Sequence, residues 1–315
     1  MWDWIAEKFT ELHSWTFEGL VQPALYRFGF MNWDERAYEA TELFLIGIIE
    51  LLALYALLRP LEKLAPVEVW ADRRETRVDV LYSMLSKLGV VPLFLFVVLT
   101  PAFNWINGNL RMNGVIPPNL EDLIPLLRDS PVFSAIVYLV ILDFADYWRH
   151  RFQHRFGVWW AIHSLHHSQR QMTFWSDDRE HAIDHVIAGF WRAAIGLAIG
   201  VPPVQFLEVT LASAAIESLS HANVRLDFGW LRWLIVSPRF HRMHHAMAIG
   251  HDGPAKGCNF AQVFALWDVV FGTANFEVAY PPTGVSDQLE GRDYGHGFWA
   301  QQWLGVRRIL REVRG

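Results

Sequence analysis

Nine of the chain's fourteen histidines fall into a pattern that could do chemistry. His150 and His154 lie four apart in DFADYWRHRFQH. His163, His166 and His167 form HSLHH, and His241, His244 and His245 form HRMHH. His221 stands alone in ESLSHAN. On a helix, side chains three or four residues apart share a face. Each group can therefore aim two or three imidazoles in one direction, with Asp146 one turn behind His150 on the same face. So many nitrogens exceed the needs of one tetrahedral zinc. They suit two metal ions, and imidazole is a good ligand for iron. No HExxH pair marks a zinc hydrolase. A b-type haem would use two histidines and leave the others without a role. His13, His251 and His296 lack the spacing and read as ordinary core or surface residues. His181 and His185, four apart in REHAIDH, read equally as groups that orient ligands and as structural residues.

The elements that must position these groups are apolar. Of 315 residues, 52% are hydrophobic and 19% charged, and there are 16 Trp and 22 Phe. That composition points to a membrane, since Trp favours the membrane–water interface. Apolar runs predict spans over about 43–58, 80–100 and 132–147. Two further runs, about 186–201 and 204–219, flank Pro202-Pro203, which cannot continue a helix, and so predict a helical hairpin. Glu50 lies inside the first run and needs a partner at that depth. Residues 1–40 are amphipathic, as suits an interfacial helix or one packed on the protein's own surface. The start, MWDWIAEKFTEL, lacks the basic-then-apolar pattern of a signal peptide and is expected to be retained.

The expected fold is an all-α integral membrane bundle of about four to five spans, with a cytosolic, histidine-rich metal-binding cap. Lys63, Arg73, Arg74 and Arg77, the WRHRFQHR stretch and later arginines place every histidine cluster on the basic, cytoplasmic side. The expected units are an N-terminal segment (1–40), spans with connectors (41–130), the metal-binding domain (131–275) and a tail (276–315). A net charge of −6 without a long basic run argues against nucleic acid. One cysteine, Cys258, excludes an internal disulfide.

In order and approximate spacing, HRFQH, HSLHH and HRMHH resemble the histidine boxes of the fatty acid hydroxylase/sterol desaturase superfamily. SHANVRL resembles that family's segment around an extra histidine, and CNFAQVFALWDVVFGT its asparagine-aromatic and WDxxFGT element. The likeness covers about residues 130–275. It implies a membrane-bound di-iron oxygenase that uses O2 to hydroxylate or desaturate an unactivated C–H position of a lipid. By that resemblance His150, His154, His163, His166, His167, His221, His241, His244 and His245 are the metal ligands. Some relatives pair the extra histidine with another four residues before it. Here that position is Glu217, a further candidate ligand, with an arginine such as Arg179 as its alternative partner.

Asp146, His181, His185 and Asp268 are expected behind the ligands, Asp268 accepting a bond from an imidazole or an arginine. Phe174, Trp175, Phe190, Trp191 and the apolar hairpin are candidate pocket walls. The chain shows no flavin or haem domain, so electrons must come from an electron-transfer protein or a reduced pterin. The rival reading is a histidine-rich metal-binding membrane protein, a transporter or sensor, without oxygenase activity.

Overall fold

The computed structural model describes residues 2–116, 118–247 and 257–314; His251 lies outside them. Within the described residues the chain is helical, with no strand and one isolated antiparallel bridge, Ala246 to Thr283.

Helix α1 (Trp2–Thr16) runs through a π-helical turn into α2 (Gln22–Phe28), which stops at Gly29 in the left-handed region. Helix α3 (Asp34–Leu64) is much longer than its apolar run. The polar stretch DERAYEATE is a good helix former and the helix also continues through Pro60 in RPLEKL, so α3 reaches about 46 Å at 1.5 Å per residue. Glu50 finds its partner in Lys87, whose Nζ donates at 2.8 Å.

The run at 80–100 is two helices rather than one. α4 (Arg74–Lys87) and α5 (Val90–Met112) are separated at Gly89, which takes φ 83°. That left-handed conformation is open to glycine and ends a helix.

Helix α6 (Pro131–Arg155) carries the first histidine pair, and α7 (Gly157–His167) carries the second group. Phe156 between them is extended (φ −101°, ψ 119°), which turns the chain sharply. Helices α8 (Ala182–Ile199) and α9 (Pro203–His221) form the hairpin. Gly200 is left-handed at φ 69°, and Val201 N–H bonds back to Gly196 O at 2.9 Å, closing α8 before the two prolines. A Cβ at Gly200 would stand 2.7 Å from Pro118 O, so close approach demands glycine there as well.

Helices α10 (Pro238–His244), α11 (Leu266–Val270) and α12 (Phe298–Arg314) complete the cap. α12 lies along α7, tied by Arg308 Nε donating to Ala161 O at 2.8 Å. Met31–Leu64, Pro131–Arg155 and Ala182–Ile199 are long and apolar enough to cross a membrane.

Three buried apolar clusters fix these elements. One joins α6 to the cap through Tyr147, Val236, Phe240 and Phe260. A second joins α3 to the end of α9 through Leu54, Leu58, Phe174 and Val224. The third packs Tyr138 and Leu142 of α6 on Val209 of α9.

Candidate metal centre

The structure brings all nine histidines together in two adjoining groups. His150, His154, His163, His167 and His244 form one, and His166, His221, His241 and His245 the other. Within each group the facing nitrogens lie within 4.8 Å of one another, and every ring is buried. The i, i+4 pair on α6, the i, i+3, i+4 triplets on α7 and α10, and the last residue of α9 supply them.

The arrangement fits metal ions better than a set of hydrogen bonds. Four rings are held by Nδ1 from behind. His150 donates to Phe260 O at 2.7 Å and His244 to Cys258 O at 2.6 Å. His221 donates to Glu217 O at 2.7 Å, and His163 to an Asp184 carboxylate oxygen at 3.0 Å. Each of these rings then carries its lone pair on Nε2, directed inward. His150 Nε2 and His163 Nε2 are buried with no hydrogen-bond partner among the described residues. In the second group His221 Nε2 stands 3.2 Å from His166 Nε2 and 3.0 Å from His241 Nε2, which is 3.1 Å from His245 Nε2. One lone pair on His221 cannot accept from two neighbours at once. Two nitrogens about 2.1 Å from one ion, at an angle near 90–100°, would be about 3.0–3.2 Å apart. Burial and neighbouring imidazoles hold His166, His241 and His245 well below the usual histidine pKa, in the neutral form that ligation needs.

Behind the rings lies a layer of carboxylates. Asp184, at the start of α8, accepts from His163, from Gln153 Nε2 at 2.9 Å and from Trp159 Nε1 at 2.7 Å. Asp177 lies 3.4 Å from His221 Nδ1 and accepts from Ser218 at 2.9 Å. Asp143, two turns before His150, accepts from Val263 N, Phe264 N and Trp267 Nε1 at 2.8–2.9 Å, fixing the 260–268 loop to α6. Sequence reasoning missed these three. Asp143 had a signal, since it continues the spacing of Asp146, His150 and His154 along one face. Asp177 and Asp184 had none, because their roles depend on contacts across the fold.

The other expected supporting residues sit differently. Among the described residues Asp146 pairs with arginines and not with an imidazole, Arg149 at 3.0 Å and Arg192 at 2.6 Å. His181 caps α8 through Ile183 N and bonds Gln302 O, while His185 pairs with Glu180.

Among the described residues Asp268 hydrogen-bonds neither an imidazole nor an arginine. It accepts from Phe260 N and Ala261 N, each at 2.8 Å, and from Thr273 Oγ1 at 2.6 Å. Its link to the centre runs through Phe260, whose carbonyl holds His150. Burial pushes its carboxyl up to about 6. Asp268→Asn turns one acceptor oxygen into a donor facing the Phe260–Ala261 amides. It is expected to weaken metal retention about 10–100-fold. Competition with a chelator measures this, and wild-type retention would reduce Asp268 to a loop anchor.

Glu217 faces an arginine. Its Oε1 accepts from Arg192 Nη2 at 3.0 Å, whereas Arg179 is engaged by Asp79 at 2.8 Å. Glu217→Gln is therefore expected to keep the full metal content while losing about 1–3 kcal/mol of stability. Metal per chain and the unfolding midpoint, measured side by side, decide it. Loss of one ion would return Glu217 to the ligand set.

Two cavities adjoin the centre. A small one of about 20 Å³, room for a single water-sized molecule, lies among His150, His163, His166, His221 and His241. A larger one of about 570 Å³ opens between α3, α4, α5, α8 and α9. Phe174, Trp175, Phe190 and Trp191 are not in its wall. Phe174 and Trp175 pack instead with Leu54, Leu58 and Val224. The hairpin does contribute, through Phe206, Leu207 and Leu211 of α9 and Ala188 of α8.

Two adjoining groups of buried histidines, at the ends of α6 and α9 and along α7 and α10, could hold metal ions. Residues 135–273 match the fatty acid hydroxylase family model. The histidine-bearing part of the chain is thus similar to that family.

The chain is similar to ornithine lipid hydroxylase OlsE of Rhizobium tropici, 27% identical over 270 residues, covering 81% of this chain and 72% of that protein. It is also similar to the alkylglycerol monooxygenase of Homo sapiens, 29% identical over 149 residues, covering 47% of this chain and 32% of that protein. A third relative is methylsterol monooxygenase 1-3 of Arabidopsis thaliana, 25% identical over 219 residues, covering 65% of this chain and 69% of that protein. The chain thus spans about a third of the human relative's length. No solved structure matches the chain.

Proposed function

We propose that this protein is a membrane-bound di-iron oxygenase that hydroxylates or desaturates an unactivated C–H position of a lipid. The observation that carries the reading is the split of nine buried histidines into two cages, one of five and one of four. His150, His154, His163, His167 and His244 would hold one iron, and His166, His221, His241 and His245 the other. The relatives' names, ornithine lipid hydroxylase, alkylglycerol monooxygenase and methylsterol monooxygenase, support lipid oxidation.

Two irons would supply the O2 activation that side chains cannot. Hydroxylation places one oxygen atom of O2 in the C–H bond. The other leaves as water, with two electrons and two protons from an external donor, an electron-transfer protein or a reduced pterin. The protein's own residues position and shield. Phe260 O, Cys258 O, Glu217 O and Asp184 hold four rings in one tautomer, each with Nε2 inward. Burial of all nine rings keeps bulk water from the site, which protects an oxidising centre from wasteful reactions.

The bundle is read as four to five spans, from α3, α5, α6 and the α8–α9 hairpin. The cap faces the cytoplasm, where basic residues cluster after the spans. Residues 131–275 form the oxygenase unit, 41–130 the preceding spans with their connectors, and 1–40 and 276–315 the flanking segments.

Lipid analysis of a host with and without the chain tests the reading. The expected result is a lipid that gains one oxygen, or loses two hydrogens, only when the intact chain is present. Two irons per chain with no change in any lipid would sink it in favour of metal binding without catalysis.

A further inference from the structure

The larger cavity has two unlike ends. Its floor shares Arg149, Asp177, Glu180 and Glu217 with the small cavity among the histidines. Its far wall is apolar, formed by Leu43 and Ile46 of α3 with Phe206, Leu207 and Leu211 of α9. Distance along α9 separates the ends. Glu217 is one turn from His221, about 6 Å at 1.5 Å per residue, whereas Phe206 is about 22 Å away. The gradient therefore runs from charged at the histidines to apolar away from them.

The floor also carries an acceptor in want of a donor. The Asp178 side chain is 10% exposed, and its Oδ2 accepts no hydrogen bond among the described residues. The nearest cation, Lys87 Nζ, stands 3.7 Å off and is engaged by Glu50 at 2.8 Å. Arg192 is likewise engaged, by Asp146 and Glu217, and Arg149 by Asp146. Acids on the floor (Glu50, Asp177, Asp178, Glu180, Glu217) outnumber the cations Lys87, Arg149 and Arg192 even when His185, paired with Glu180 at 3.2 Å, is counted with them.

We propose that the cavity takes its lipid head first. A head rich in hydrogen-bond donors, an ammonium or hydroxyl group, sits on the Asp178 floor. The chain runs along α3 and α9 away from the histidines, and the carbon that is oxidised lies beside the head. This rests on the oxygenase reading above. A free carboxylate or phosphate head would meet an excess of buried acid without a free cation, and is excluded by charge. A chain-first pose would bury the tail among charged groups and leave the head on Leu43 and Phe206, unfavourable at both ends.

The test uses the full chain in membranes and long-chain amino alcohols bearing a photoreactive diazirine. One probe carries the diazirine next to the head, the other at the chain terminus. The head-proximal probe is expected to label peptides containing 177–180 and 217–221, and the terminal probe those containing 43–47 and 206–211. The reversed pattern would overturn the proposal. Asp178→Asn should reduce capture of the amino alcohol about tenfold, as loss of one charge-assisted bond implies. Capture of a matched fatty acid equal to that of the amino alcohol in the intact protein would overturn the head assignment. Leu211→Trp, at the apolar end, should exclude the long-chain probes while a short-chain amino alcohol still binds. Product analysis separates this proposal from the one it rests on. A new oxygen at the chain terminus defeats head-first binding and leaves the oxygenase. If no lipid is oxygenated although two irons are bound, the oxygenase reading fails, and the labelling pattern alone then decides the pose.

Discussion

Replacing His241 with alanine is expected to remove one metal ion and abolish activity, leaving membrane insertion intact. His241 is central in the group of four, with its Nε2 3.0 Å from that of His221 and 3.1 Å from that of His245. Its loss leaves three nitrogens around a gap, with no fifth histidine in that group among the described residues. The group of five should behave differently. His244→Ala leaves His150, His154, His163 and His167, enough for a weakened four-nitrogen site. Iron per chain in detergent-purified protein should fall to about one in His241→Ala. In His244→Ala it should stay nearer two, with faster loss to a chelator. Both variants should lose more affinity than the roughly 10–100-fold typical of an outer partner. Equal retention of two ions in both would refute the division into cages.

Asp184→Asn should have the next largest effect. This carboxylate takes bonds from His163, Gln153 and Trp159 in the interior, near the N-terminus of α8, where a helix dipole favours negative charge. An amide in its place can accept on one atom only, and its NH2 would face other donors. Charge-assisted bonds of this kind contribute about 1.5–3 kcal/mol each. His163 would also lose what fixes its tautomer. Metal affinity should drop about 10–100-fold, together with turnover, while Asp184→Glu recovers part of both. A purely structural Asp184 would instead lower the unfolding temperature and leave metal affinity of the folded fraction unchanged.

What could be read from the sequence was what depends on local period. Four-residue spacing in HRFQH and in the two HxxHH triplets puts imidazoles on single helix faces, and the structure keeps those faces turned toward one another. Pro202-Pro203 marked the break between α8 and α9 for a reason internal to the backbone. The break at Gly89 was equally local but was hidden by a continuous apolar run, since hydrophobicity alone does not report a left-handed φ. Partnerships over long separations were out of reach. Glu217 could have met a metal or an arginine such as Arg179, and only the packing of α8 and α9 on α6 brings Arg192 to it. The walls of the large cavity depend on how α3 and α4 approach. Gly47 permits this, because a Cβ there would overlap the Lys87 carbonyl. Aromatic residues near the boxes were natural guesses for a pocket, but Phe174 was needed to join α3 to the end of α9.

The two cages also differ in how much chain must exist before each can close. Four of the five rings of one cage come from residues 150–167, a single stretch across two adjoining helices. The other draws on residues 166, 221, 241 and 245. Closing a longer loop costs more chain entropy, though the cost grows slowly. The larger difference is in timing. As the chain emerges from the ribosome, the first cage is four-fifths complete before either arm of the hairpin has been made. The second has a single ring until the hairpin has folded back. If the cages hold iron as proposed, biosynthesis would impose an order of capture, in which an early ion would staple α6 to α7 and a late one would lock the hairpin and α10 onto that staple. A cell short of iron would accumulate half-loaded chains of one kind, with the contiguous cage filled and the dispersed cage empty.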